Sequence, residues 1–87
     1  MNTDNSLLLL QRALREARTQ DDVQFYRLLR TGVSILKLTE EDIAHQFGAS
    51  RPTVKRWLAG TSAPHPAVRR PVYDWLLGQT AKARSVQ

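Results

Sequence analysis

The sequence predicts an all-α fold, a compact bundle of about five short helices, and three observations carry that expectation. Apolar residues recur at intervals of three and four along most of the chain, the period of a helix that buries one face. No run alternates apolar and polar residues for long, and the Asn-Gly and Asp-Gly pairs that close hairpins are missing. With 87 residues, 41% of them apolar and 24% charged, the chain has material for one small core. Residues 1–80 are therefore expected to form a single domain with an extra N-terminal helix at about 5–18, and residues 81–87 a flexible tail.

Each helix has its own signals. The first, about Asn5 to Arg18, carries Leu7, Leu10, Leu14 and Ala17 on one stripe, with Ala13 beside it and Asp4 placed to cap the start. The second runs from about Asp22 to Lys37, with Asp21 as cap and Phe25, Leu29, Val33 and Leu36 facing inward, flanked by Leu28. Gly32 costs this helix about 1 kcal/mol relative to alanine, which points to a close helix contact or a bend there. Thr39 and Asp42 form a T-x-x-D version of the capping box and open a short helix that buries Ile43, Ala44 and Phe47. Gly48 ends it, because glycine enters the left-handed conformation without steric cost. Ser50 caps the next helix, Arg51 to about Ala59, which turns Val54, Trp57 and Leu58 inward and closes at Gly60. After a loop with two prolines, a last helix is expected from about Ala67 to Leu77. It would bury Val68, Val72, Leu76 and one face of Tyr73 or Trp75, with Pro71 in its first turn or at a kink.

Charge is distributed unevenly. Residues 1–42 hold six Lys/Arg and seven Asp/Glu; residues 43–87 hold seven Lys/Arg and one acid, Asp74. The basic second half points to a polyanionic partner or to a solvated basic face. There is no cysteine, which removes disulfides and thiolate metal sites and fits a cytoplasmic setting. The longest apolar run, Leu7 to Leu10, is far short of a membrane span, and acids near the start argue against a signal peptide.

Two short helices joined by a glycine-containing turn of three to four residues make a helix-turn-helix. Here Ala44 would lie where the pair crosses and Gly48 would make the turn. Ile43, Val54 and Trp57 would anchor both helices, leaving Arg51, Thr53, Lys55 and Arg56 to face outward. The run Ile43-Ala44, Phe47-Gly48, Ser50-Arg51-Pro52-Thr53-Val54, Arg56-Trp57, Gly60 and Pro64 resembles the phage Cro and lambda-repressor type of helix-turn-helix. The specific part of the resemblance covers Leu38 to Pro64, and the flanking helices extend it to about Asp22–Leu77. The chain departs from the family pattern twice. Glu40 stands where such repressors often carry a glutamine that reaches a phosphate, and the leucine-rich first helix precedes the usual first helix.

The resemblance implies a sequence-specific regulator of transcription, a small repressor of phage or plasmid type, nucleoid-associated, that lays the helix 51–59 in the major groove of double-stranded DNA with its early residues nearest the bases. Arg51 is suited to guanine O6 and N7, and Lys55, one turn on, to a guanine or a phosphate. Pro52 and the Thr53 methyl suit a thymine methyl, although local capping competes for Thr53. Ser50, Arg56, Thr61, Ser62, His65 and Arg69 are the candidate phosphate contacts, with Ser50 foremost a helix cap. Arg70 beside Arg69 repeats a charge that is unfavourable at a helix start unless an anion meets it. Trp57 continues the Val54 spacing and belongs to the core rather than to base stacking.

A dimer is expected, since one short recognition helix reads only a few base pairs. Leu7, Leu8, Leu9, Leu10 and Leu14 are its candidate interface, because Leu8 and Leu9 fall off the stripe of the other three; packing of this helix around its own core is the alternative. On the dimer reading, a chain lacking residues 1–18 should fold as a monomer. The same helix would serve a protein partner if the chain were an antitoxin-type module or a helical adaptor without DNA binding. An enzyme is disfavoured: His45 and His65 are twenty residues apart with no useful neighbour, and neither a cofactor nor a metal is implied.

Overall fold

The computed structural model describes residues 3–85, which form five helices: α1 (Thr3–Glu16), α2 (Asp22–Leu36), α3 (Glu40–Phe47), α4 (Arg51–Ala59) and α5 (Pro66–Ser85). No strand occurs among the described residues, as the helical spacing predicts. α1 lies along both α5 and α2, and α2 also meets α4 and α5, whereas the backbone of α3 meets α4 alone. Phe25 is the hub of the core. Its ring stands edge-on to Trp57 of α4 at 6.2 Å and tilted against Tyr73 of α5 at 5.9 Å, so one fully buried side chain joins three helices. Leu7, Leu10 and Leu14 of α1, Ala17 just after it, Leu29 of α2, Ile43 and Ala44 of α3 and Val54 of α4 are buried with it.

Local chemistry sets most boundaries where the sequence places them. The Asp21 carboxylate accepts from the Gln24 amide. In the Thr39 box both arms are made, from the Asp42 amide to the Thr39 hydroxyl and from the Thr39 amide to the Asp42 carboxylate. Ser50 accepts from the Thr53 amide. Gly48 and Gly60 close α3 and α4 with φ of 63° and 77°. α2 closes less predictably: Lys37 takes φ 57°, and the amides of Lys37 and Leu38 donate to the Val33 carbonyl. Gly32 is the close contact foreseen, since a Cβ there would stand 3.1 Å from the Leu76 side chain.

The boundaries of α1 and α5 differ from the expected ones at both ends. α1 starts at Thr3, which puts Asp4 inside the helix rather than at its cap, and ends at Glu16 because the Arg18 amide is taken by Gln24 Oε1 at 2.7 Å. α5 starts at Pro66 and carries Pro71 within it, on its exposed side. Its buried line runs through Arg69, Val72, Tyr73, Leu76 and Thr80, which leaves Val68 exposed instead of buried. The expected tail is helical through Ser85, while Val86 and Gln87 lie outside the described residues. A polar set against α1 holds that extension. Gln11 Nε2 donates to Thr80 Oγ1, Thr80 donates to the Leu77 carbonyl, and Arg84 donates to Gln11 Oε1. Buried polar groups are tolerated when they are satisfied in this way.

These contacts reverse the expectation for α1. Leu7, Leu10 and Leu14 are 1%, 3% and 0% exposed within their own chain, so they are not free to form a dimer interface. Burial of each contributes about 1.5–3 kcal/mol, together comparable with the whole stability of a domain this size, roughly 4–13 kcal/mol. A chain lacking residues 1–18 should therefore lose its cooperative urea transition, followed by circular dichroism. A truncated chain that unfolds as sharply as the full one would overturn this account of the core.

Candidate nucleic-acid interface

α4 is amphipathic because Val54 and Trp57 fall three residues apart and root it in the core. The helical period then puts Arg51, Pro52, Lys55 and Arg56 on the exposed side, with no acid among the residues of α4. Arg51 and Lys55 are one turn apart and share a face. Thr53 is half-buried, and local bonds occupy its hydroxyl: it lies 2.8 Å from Ser50 Oγ and accepts from Arg56 Nη2 at 3.3 Å. Ser50 thus serves first as the cap of α4, while Arg56 is braced against the helix that carries it.

The loop after α4 is engaged in closing it. The Arg56 carbonyl accepts from the amides of Thr61 and Ser62 and from the Thr61 hydroxyl. Thr61 thus bonds locally through both its donors, and the side chains of Thr61 and Ser62 are exposed. His65 is exposed and caps α5, its Nδ1 accepting from the Ala67 amide at 3.0 Å.

Arg69 is the clearest correction. Its side chain is 6% exposed and ion-paired with Asp22 at 2.8 Å. It donates to the carbonyls of Pro64 and Thr19, and its guanidinium lies 5.8 Å from the Phe25 ring centre. Arg70 donates to the Leu14 and Ala17 carbonyls at the C-terminal end of α1, where a cation also suits the helix dipole. The two arginines are thus answered within the fold, Arg69 by the Asp22 carboxylate and two loop carbonyls and Arg70 by the carbonyl end of α1. Sequence spacing gives no sign of this, because every partner but Pro64 is about 50 residues away.

Two charged residues near α4 were not singled out by the sequence as contacts. Arg30 of α2 donates to the Tyr26 hydroxyl at 2.8 Å and stacks over its ring at 5.5 Å. Tyr26 in turn lies against Gly60, whose absent Cβ would meet the ring at 3.1 Å. Arg30 is thereby fixed beside the end of α4; its i, i+4 spacing from Tyr26 is the one signal the sequence offered. Glu40 lies with Arg30, Ser34 and Lys55 along a groove of about 500 Å³ between α2 and α4, and its carboxylate stands 4.0 Å from the Arg51 guanidinium. The carboxylate that breaks the family pattern is therefore matched to the first cation of α4.

Of the five α1 leucines, only Leu8 and Leu9 remain outside the core, at 47% and 57% exposure. Leu9 borders an apolar groove of about 300 Å³ between α1 and α2, lined also by Ala13, Leu28 and Ile35. Among the described residues no group of three His, Cys, Asp or Glu side chains is placed to hold a metal ion, and no helix is long and apolar enough to cross a membrane. No family model, curated protein or solved structure matches the chain.

One cost is visible beside the arginine pair. The Tyr73 hydroxyl is buried without a hydrogen-bond partner. Burial pushes its phenol above the ordinary 10.0, with Arg69 and Arg70 pulling the other way. The folded chain therefore keeps this proton at a pH where the unfolded chain has lost it, so stability is intact below pH 10 and falls as pH rises past it. Tyr73→Phe should raise stability by about 1 kcal/mol at neutral pH and flatten that alkaline fall, both read from urea unfolding across pH. A variant less stable than the parent would mean that the hydroxyl has a partner after all.

Proposed function

We propose that the chain is a sequence-specific DNA-binding regulator of transcription that lays α4 in the major groove of double-stranded DNA. The observation that carries the proposal is the acid-free outer face of α4. Arg51, Pro52, Lys55 and Arg56 are exposed on a helix whose opposite side is rooted in the core by Val54 and Trp57. An adaptor that binds only protein has no need of that face, so we favour a nucleic-acid-binding protein over an adaptor or an enzyme. Arg51 and Lys55 would read base edges, with Pro52 against a thymine methyl. Arg56, Ser62, His65 and Arg30 would meet phosphates, and the location would follow the DNA, in the cytoplasm at the nucleoid.

The protein would act as a homodimer through Leu8 and Leu9. One chain supplies both the protruding leucines and the apolar groove beside them, the self-complementarity that a two-fold contact requires. Two copies would set their α4 helices about 34 Å apart, one DNA turn.

Selection from random duplexes followed by titration tests the DNA contacts. Arg51→Ala should relax preference at one position per half-site, a loss of about 1–3 kcal/mol of discrimination. Arg56→Ala should weaken all duplexes alike and lower the salt slope by about 0.9 per protomer. For a dimer with about six to ten phosphate contacts, affinity should drop roughly three to five decades between about 50 and 200 mM salt. Equal losses from both substitutions, or an affinity indifferent to salt, would count against this reading.

Assembly is tested separately. Replacing Leu8 and Leu9 by serine should leave unfolding stability within about 0.5 kcal/mol while sedimentation shifts from dimer to monomer. If the parent sediments as a monomer at micromolar concentration, the two leucines serve a different protein, as in the antitoxin-type reading.

A further inference from the structure

Glu40 and Arg51 open successive helices, each as the first residue of its own. Their charged groups stand 4.0 Å apart, with the Glu40 side chain 30% exposed and that of Arg51 65% exposed. Both hang from fixed first turns: the Thr39–Asp42 box holds the start of α3, and the Ser50 cap holds the start of α4. The same carboxylate lines the groove that contains Arg30 and Lys55. One acid thus sits among three cations at the edge of the face that would meet DNA.

Resting on the DNA-binding reading, we infer that Glu40 is a specificity-determining residue that positions Arg51, denying it to phosphate and releasing it to guanine. Three groups compete for the guanidinium. An exposed ion pair with Glu40 favours that partner by about 1.4- to 5-fold. A lone phosphate at the surface is a pair of the same kind, so exchanging one for the other gains little, and it brings a second negative charge towards the carboxylate. A guanine edge differs on both counts. Its O6 and N7 accept two parallel hydrogen bonds, with discrimination of roughly 5- to 150-fold, and they carry no net charge for Glu40 to repel. Glu40 therefore penalises binding through the backbone alone and leaves the base-reading mode nearly untouched. Its effect is on the ratio between right and wrong sites rather than on affinity as such.

Glu40→Gln keeps the shape and removes the charge. The wild type, Glu40→Gln, Arg51→Ala and the double variant would be titrated against two duplexes of equal length, one selected from random sequence by the wild type and one scrambled. Fluorescence anisotropy over a range of salt gives affinity and slope, and circular dichroism checks that each variant folds. Glu40→Gln should tighten binding to the scrambled duplex about 5-fold and to the selected one less than 2-fold. Its salt slope on the scrambled duplex should steepen by about 0.9 per protomer. In the Arg51→Ala background the same substitution should no longer change the ratio. Equal tightening on both duplexes, or an unchanged effect once Arg51 is gone, would reduce Glu40 to a plain repulsive charge and overturn the inference while leaving DNA binding in place. A wild type that binds neither duplex would overturn the DNA-binding reading itself, and this role with it.

Discussion

The domain closes on the buried guanidinium of Arg69. It ties the turn after α1, through the Thr19 carbonyl, to the start of α2, through Asp22, and to the loop before α5, through the Pro64 carbonyl. A buried cation is tolerable only when its donors are engaged and its charge is answered, so these three segments have little freedom to sit elsewhere. Arg70 adds the carbonyl end of α1 to the same assembly. Once the end of α1 is fixed there, its leucine stripe lies along α2 and α5. The far end of α5 can then extend over Gln11 as helix rather than fray.

What the sequence reveals and what it hides divide by distance along the chain. Caps are legible because their partners lie within three residues, as at Asp21, Thr39 and Ser50. The buried sides of α1, α3 and α4 are legible because a helix repeats every 3.6 residues. The outward positions of Arg51, Lys55 and Arg56 follow from the same period. Arg69 could not be read, because nothing local distinguishes a cation that will meet phosphate from one that will meet carbonyls 50 residues back. The length of α5 was hidden for the same reason, since its last turns are held by Gln11 of α1. Arg30 and the partner of Glu40 belong with these; each depends on how two helices lie together.

Electrostatics is also redistributed by folding. The seven cations after residue 42 do not make one basic surface. Arg69 and Arg70 turn inward to carbonyls, and Arg84 bonds Gln11 at the far end of α5. The remaining concentration lies on α4, joined from the acidic half of the chain by Arg30 and tempered by Glu40. The positive field is smaller than the composition suggests, and it is local to one helix and its flank.

α3 is held differently from its neighbours. Its backbone meets α4 alone, and the edge-on contact of Phe47 with Trp75, at 5.5 Å, is its ring contact with α5. Few cross-links mean that a segment can open without global unfolding. Hydrogen exchange at the α3 amides is therefore expected to be no slower than at those of α2 and α5, which meet more of the fold. The two short helices are unequal in that respect: α4 brings its backbone against α2 as well, whereas α3 reaches the core through the side chains of Ile43 and Ala44.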